Sequence, residues 1–267
     1  MCQECGCSVS QNNVHIHHAN GSMSVRPANS TSVDVLHGIL SQNDHVAAHN
    51  SAHFHRYGVL AVNLMSSPGS GKTSLLEATI DVLRGKHRIA VIEGDLETEN
   101  DAERIRAKGI PAVQITTGQT CHLDAQMVHD ALHMLDLRVI DILFIENVGN
   151  LVCPAAFDLG QQANVALLAV TEGDDKPAKY PVMFRAADLV LLSKSDLLDV
   201  MGDFSPAKAE KHLRNLANPA AVLQVSARQA KTLAPWITWI EEQCAAARSA
   251  MASRSESEHV HLHHPVG

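Results

Sequence analysis

The chain has no surplus of positive charge: its net charge is −8 and its isoelectric point lies near 6.1. A groove for a nucleic-acid backbone is therefore not expected. No apolar run approaches the ~18 residues of a membrane-spanning helix. The first residues, Met1-Cys2-Gln3-Glu4-Cys5-Gly6-Cys7, offer neither the basic flank nor the apolar stretch of a secretory leader. That absence points to the cytoplasm. In such a compartment six cysteines read as metal ligands or reduced thiols rather than disulfides. Internal repeats are also missing.

What is present is enough for one large α/β domain: 267 residues, 45% of them hydrophobic. Histidine is over-represented, with 17 residues unevenly spread. His15, His17 and His18 lie near the start, and His259, His261, His263 and His264 at the end. Histidine clusters outside a core read as metal-binding tracts. The interruptions within the C-terminal cluster argue against a purification tag.

The most informative stretch is Ser66-Ser67-Pro68-Gly69-Ser70-Gly71-Lys72-Thr73. It follows the apolar run Val59–Met65 and precedes an amphipathic segment with Leu76, Ile80 and Leu83 on one face. Strand, Gly-rich loop, Lys-Thr and helix is the order of a phosphate-binding P-loop. Loop N–H groups and the helix N-terminus present positive ends to phosphate oxygens. Gly69, Ser70, Gly71, Lys72, Thr73 and Ser74 are the expected nucleotide contacts, with Lys72 at the β/γ-phosphates and the Thr73 hydroxyl on Mg²⁺. Ser66 stands where the consensus has its first Gly.

Three regions follow from the pattern: an N-terminal Cys- and His-rich tail over 1–31, a nucleotide domain over 32–248 and a His-containing C-terminal tail over 249–267. Residues 8–31, rich in Ser, Asn and His, predict a disordered or loosely ordered tether. From Ser32, Leu36, Leu40, Asn43, Ala47, Asn50 and Phe54 recur as one helix face does. His45, His49 and His53 then fall on the opposite, solvated face, where a polar surface is the simpler reading than a weak metal site. Strands are predicted at 59–65, 88–93, 111–116, 140–146, 164–171, 188–193 and 220–225, and helices at 73–84, 99–108, 123–135, 206–217 and 232–248. Repeated βα units build a mostly parallel sheet of about seven strands covered on both faces, with ligands at the strands' carboxyl ends. Cys244 falls on the apolar face of the last helix and reads as a core thiol. His129 and His133 read as surface residues.

Strand 188–193 ends in Ser193-Lys194-Ser195-Asp196. In GTPases the corresponding N-K-x-D carries an Asp that accepts from guanine N1–H and the 2-amino group, a pattern adenine lacks. Ser193 replaces the Asn, while Lys194 and Asp196 stand; GTP is the favoured nucleotide. Ser226-Ala227-Arg228 resembles the S-A-K loop that lines a guanine pocket. For magnesium, Glu146 ends a buried strand and Asp95 follows another; both read as metal-directed acids, and Gly149 as a γ-phosphate sensor. Lys72, Thr73, Asp95 and Glu146 are thus the expected catalytic group. Neither an arginine finger nor a catalytic Gln is evident, which predicts slow intrinsic turnover.

Soft ligands form two further sets. Cys2, Cys5 and Cys7 can wrap one cation, with the α-amino group as a fourth donor in a square-planar arrangement suited to Ni(II). Cys121-His122 and Cys153 lie in loops that leave strands at their carboxyl ends. Together they offer two thiolates and an imidazole, one ligand short of a closed tetrahedral site, which sharing between two subunits would complete. Buried small hydrophobes are the ordinary alternative for Cys121 and Cys153.

These residues resemble the hydrogenase nickel-incorporation GTPases of the HypB type. The similarity runs from about Val33 to the 240s and includes the N-terminal C-x-x-C-G-C. It rests on Asn63–Thr73, Glu93-Gly94-Asp95, Cys121-His122-Leu123-Asp124, Glu146–Pro154 and Thr171–Pro177. The resemblance implies a P-loop GTPase that forms a homodimer on binding GTP. It implies nickel delivery to the [NiFe]-hydrogenase large-subunit precursor beside a small zinc- and nickel-binding accessory chaperone. It also implies metal sites at Cys2, Cys5 and Cys7 and at Cys121, His122 and Cys153, the latter taking nickel or zinc. Two other readings stay open. One is a urease-type nickel GTPase, whose Cys-Pro-His is here Cys153-Pro154-Ala155. The other is a nickel-storage protein that holds many ions on its histidine tails.

Overall fold

Alternation of short β-branched runs with amphipathic segments produces the parallel sheet that the sequence predicts. The computed structural model describes the backbone of residues 9–10, 13–17, 23–27, 30–118 and 120–261, and side chains over 38–118 and 120–253. Strands β1 (Val9–Ser10), β2 (Asn13–His17) and β3 (Met23–Pro27) form an antiparallel meander within the stretch expected to be a loose tether. Helix α1 (Ser30–Tyr57) leads into the main domain.

There the order is β4 (Leu60–Ser66), α2 (Lys72–Leu83), β5 (Ile89–Asp95), α3 (Asn100–Ala107), β6 (Ala112–Thr116), α4 (Ala125–Leu132), β7 (Ile142–Glu146), β8 (Ala163–Ala169), α5 (Lys176–Lys179), α6 (Pro181–Ala186), β9 (Leu189–Ser193), α7 (Pro206–Asn215), β10 (Ala221–Gln224) and α8 (Ala234–His261). Seven strands lie parallel in the order β10-β9-β8-β4-β7-β5-β6. All seven fall within two residues of their predicted bounds at each end. Helices α5 and α6 escape the periodicity because they are four and six residues long, each opened by a proline. Helix α8 runs past the polarity shift at Ser249 that predicts its end. Among the described residues no helix is long and apolar enough to cross a membrane.

Period-2 alternation splits the core across the sheet. Leu60, Val62, Leu64 and Phe144 face α2 and α8, against Leu76, Ile80, Trp236 and Ile240. Ala61, Leu143 and Ile145 face Phe54 of α1 and Val128 of α4. Cys244 is 1% exposed and belongs to the first of these cores. Asn43, Ala47, Asn50 and Phe54 are buried as the helical spacing requires. The two asparagines bind α1 to its neighbours: Asn43 Oδ1 accepts from the Ala125 N–H at 2.8 Å, and Asn50 Nδ2 donates to the Ala125 and Leu159 carbonyls.

Strand β4 sits between β8 and β7, where the sheet order reverses. In open α/β sheets this switch point, at the strands' carboxyl ends, is where ligands bind.

Candidate functional site

The chain leaves β4 at Ser66, turns through residues 67–71 and enters α2 at Lys72. Gly69 and Gly71 take φ of +75° and +90°, a left-handed path that a Cβ would strain. Gly71 caps α2 without a side-chain bond, so the first-turn N–H groups are left for a ligand. Lys72 is buried, and its Nζ donates to Ser66 Oγ at 3.1 Å. The serine at the consensus-glycine position therefore braces the P-loop lysine. Lys194, itself at φ +57°, reaches back and donates from Nζ to the Gly69 carbonyl at 2.7 Å. Ser67 and Ser70 both donate their hydroxyls to Glu172, an acid whose role the sequence does not disclose.

Register then aligns three strand ends. Glu146 pairs with Leu64 on one side and with Glu93 on the other. Thr73 Oγ1 donates to Glu146 Oε1 at 2.7 Å. The carboxylates of Glu93, Glu146 and Asp101 each bring an oxygen within 4.8 Å of the others. The Oε2 atoms of Glu93 and Glu146 are buried with no hydrogen-bond partner. Burial, then the neighbouring Glu146 charge, pushes Glu93 up to about 8. Burial likewise raises Glu146 to about 7, against the opposing pull of Lys72 and the Thr73 hydroxyl. Two acids held above their ordinary range around orphaned oxygens fit a hard divalent cation, which would satisfy both.

Asp95 lines the same cavity but stands outside this acidic trio. Its oxygens accept from the Leu96 and Thr98 N–H groups and the Thr98 hydroxyl, closing the β5–α3 turn. Glu93 and Asp101, not singled out as metal-directed acids from the sequence, stand with Glu146 in the trio beside it. The sequence conceals them because strand register and the docking of α3 are tertiary facts. Arg104 also lines the cavity, tied to Glu77 and Asp101.

The phosphate cavity of about 490 Å³ includes Lys72, Thr73, Glu93, Glu146 and Gly149. It adjoins a second of about 480 Å³ lined by Ser70, Lys194, Asp196, Ser226 and Ala227. Gly71, Ser74 and Lys194 border both, so the pair has the extent of a nucleotide. Ser226 Oγ donates to Asp196 Oδ1 at 2.6 Å, and Ser193 Oγ donates to the Ser70 carbonyl at 2.7 Å. Every described member of the expected nucleotide set thus faces one of the two cavities.

The soft ligands also converge. The Cys121 and Cys153 sulfurs lie 3.1 Å apart, well beyond the ~2.05 Å of a disulfide. His122 brings a ring nitrogen within 4.8 Å of both. Its Nδ1 is buried without a partner, and its ring stacks on Phe157 at 3.9 Å between centroids. Burial holds the imidazole below its ordinary value, in the neutral form that ligates metal. Two sulfurs beside an unsatisfied imidazole nitrogen suit a borderline cation. Cys2, Cys5, Cys7 and the histidine tracts at both ends lie outside the residues whose side chains are described.

The two ligand sets are physically joined. A Cβ on Gly149 would lie 2.9 Å from Pro68 Cα, so the segment after Glu146 packs on the phosphate loop. Asn147 Oδ1 accepts from the Leu123 N–H at 3.1 Å, one residue beyond His122, and Asn147 Nδ2 donates to Asn63 Oδ1 on β4. Cys153 closes the same segment, in a 3₁₀ turn over Cys153–Ala156.

Residues 60–224 match the CobW/HypB/UreG nucleotide-binding domain. The chain is 55% identical over 205 residues to the hydrogenase maturation factor HypB of Azotobacter vinelandii, spanning 77% of this chain and 67% of that one. The chain belongs to the HypB branch of the CobW/HypB/UreG family. It is also 49% identical over 226 residues to HypB of Escherichia coli K12, covering 85% of this chain and 76% of the relative. Among solved structures, HypB from Helicobacter pylori in complex with nickel superposes with a TM-score of 0.74 at 41% identity, over 77% of this chain and 96% of that one. The HypB of Archaeoglobus fulgidus gives 0.71 at 37% identity, over 77% and 100%. The seven-stranded parallel sheet flanked by helices is therefore the HypB fold.

Proposed function

We propose that this HypB-family chain is a GTP-hydrolysing nickel metallochaperone that loads the large-subunit precursor of a [NiFe]-hydrogenase. The observation that carries the proposal is the segment 146–153. It begins in an acid bonded to the P-loop threonine and ends in a cysteine beside Cys121 and His122.

Asp196 would accept from guanine, while the loop N–H groups and Lys72 hold the phosphates. Thr73 and Glu146, with Glu93 and Asp101 nearby, would hold Mg²⁺, which neutralises charge on the β- and γ-phosphate oxygens. Water attacks the γ-phosphorus in line as the bond to the β–γ bridging oxygen breaks, releasing GDP and phosphate. Arg104 is already engaged by Glu77 and Asp101, which keeps intrinsic turnover slow. The γ-phosphate bears on Gly149, and a shift there is transmitted to Cys153 through the backbone and to His122 through Asn147. Nickel is the cargo, and zinc competes at the same ligands. A GTP-dependent homodimer would supply the missing fourth ligand. A small zinc- and nickel-binding accessory chaperone is the expected partner in the transfer.

Nickel transfer from the full chain to a hydrogenase precursor, under GDP, GTP and a non-hydrolysable analogue, tests the reading. Transfer should differ among the three states, and equal transfer in all of them removes the switch. The Helicobacter relatives are hydrogenase/urease maturation factors at 42–44% identity. Substituting apo-urease for the precursor separates the two targets. Counting nickel with and without the histidine tails isolates the storage reading: several ions lost with the tails would favour it.

A further inference from the structure

Helices α1 and α4 each carry two histidines four residues apart, His49 and His53 on one and His129 and His133 on the other, with His133 as the C-cap of α4. That spacing puts each pair on one helix face. The asparagine contacts that seat α1 on α4 turn the two faces toward each other. Ring centroids lie 4.7 Å apart for His49–His53, 5.2 Å for His49–His129, 6.2 Å for His53–His129 and 4.8 Å for His129–His133. Imidazoles sharing one tetrahedral cation at ~2.0–2.1 Å have centroids roughly 5 Å apart and ligating nitrogens about 3.3 Å apart. The Nε2 atoms of His129 and His133 are 3.3 Å apart.

The tautomer of His129 is also set. Both amide hydrogens of Asn50 are spent on the Ala125 and Leu159 carbonyls, so its Oδ1 accepts from His129 Nδ1–H at 2.9 Å. The Nε2 lone pair of His129 is then turned toward His133. A buried acceptor fixing one ring nitrogen while the other faces a cation is how protein sites orient histidine ligands. A cavity of about 220 Å³ opens beside His53, His129 and His133. The charged groups on its rim, Asp136 and Arg138, are paired with each other. No three of these four histidines already bring ligating nitrogens within 4.8 Å of one another, so the site closes only when the exposed His49 and His133 rings rotate inward.

We propose that His49, His53, His129 and His133 form a binding site for a borderline divalent cation, Ni(II) or Zn(II), bridging α1 and α4. It is separate from the Cys121–His122–Cys153 set: His122 lies in the loop before the Asp124 N-cap, whereas His129 and His133 stand in the second half and at the C-cap of α4. Four imidazoles without thiolate or carboxylate exclude Mg²⁺ and Ca²⁺. They hold nickel or zinc less tightly than thiolates do, as suits a site that loads and unloads. The site does not depend on the nucleotide chemistry proposed above.

The test uses the full chain with Cys2, Cys5, Cys7, Cys121 and Cys153 replaced by Ser, titrated with nickel chloride and, separately, with zinc chloride. This parent should bind one more equivalent than either H49Q/H53Q or H129Q/H133Q in the same background, and the metal-induced rise in unfolding temperature should vanish in both. Unchanged stoichiometry overturns the site, and loss in only one double variant overturns the bridge between helices. Circular dichroism and a cooperative unfolding transition check that the variants fold. Should either fail, NMR of the parent decides. The first equivalent of Ni(II) should broaden the ring resonances of all four residues, and broadening confined to the terminal histidines overturns the proposal.

Discussion

The carboxylate end and the sulfur end of the rim are built differently. Glu93 and Glu146 are strand residues, placed opposite each other by the β5–β7 ladder and 2–3% exposed. Their positions are set by backbone hydrogen bonds and change only if the sheet does. Cys121 and Cys153 sit on connections, the first after β6 and the second in a single 3₁₀ turn after β7. Their separation is fixed by loop packing, through Asn147 and through Gly149 on Pro68. A rigid oxygen site suits an ion that stays with its nucleotide, whereas a sulfur site on loops suits a cargo that must be released. If the proposed switch operates, its moving part is then expected at the sulfur end.

The largest expected effect probes whether the two ends are separable. Lys72→Ala removes the buried ammonium that faces the phosphates and should weaken GTP and GDP by at least about 100-fold, near 2.7 kcal/mol. Nickel binding at Cys121, His122 and Cys153 should persist. Calorimetry on the variant checks both, and parallel loss of the metal would erase the distinction.

Cys153→Ser is the converse. Internal nickel or zinc affinity should fall by roughly 100-fold, since a hydroxyl is a poor ligand for a borderline cation. Affinity for GDP in a fluorescence titration should stay within about threefold. A matching fall in GDP affinity would mean that Cys153 holds the phosphate loop in place rather than metal.

The sulfur end was the more legible of the two in the sequence, although its geometry is looser. Cys, His and the P-loop consensus are rare enough in pattern to be noticed without a fold. Glu93 and Asp101 are ordinary acids until β5 is set beside β7 and α3 is docked. Asp95 attracts attention from its place at the end of an apolar strand, and it lines the cavity while also bonding its own turn. The histidines of α1 and α4 read from the sequence as solvated, yet His53 and His129 are half-buried because the two faces meet. That the faces meet depends on Asn43 and Asn50 being buried, which helical spacing shows, and on what they bond, which it does not. Strand identities were legible because each is a short β-branched run, and the order of the strands was not because nothing local encodes a crossover.

The acids of the rigid end give the comparison a pH signature. Glu93 and Glu146, ordinarily near 4.5, rise to about 8 and about 7 in the folded chain. Between about pH 5 and 8 the folded state binds more protons than the unfolded one, so these groups make stability fall as pH rises. Urea midpoints of the nucleotide-free protein should decline across that window, and E93Q/E146Q should flatten the decline. A midpoint that rises with pH in the parent, by way of these residues, would mean the pair is already neutralised by another group.

The smallest effect tests how the base end is attached. Ser193 replaces the asparagine of the guanine motif, and its hydroxyl donates to the Ser70 carbonyl across two segments far apart in the chain. Ser193→Ala leaves that carbonyl short of one buried donor, at a cost of about 1 kcal/mol. GDP affinity should drop a few-fold, because the base loop is less firmly held to the phosphate loop. The preference for GDP over ADP should be unchanged, because Asp196, the proposed reader of the base, is untouched and Ser226 still braces it. If selectivity collapsed along with affinity, Ser193 would be reading the base rather than supporting the residue that does.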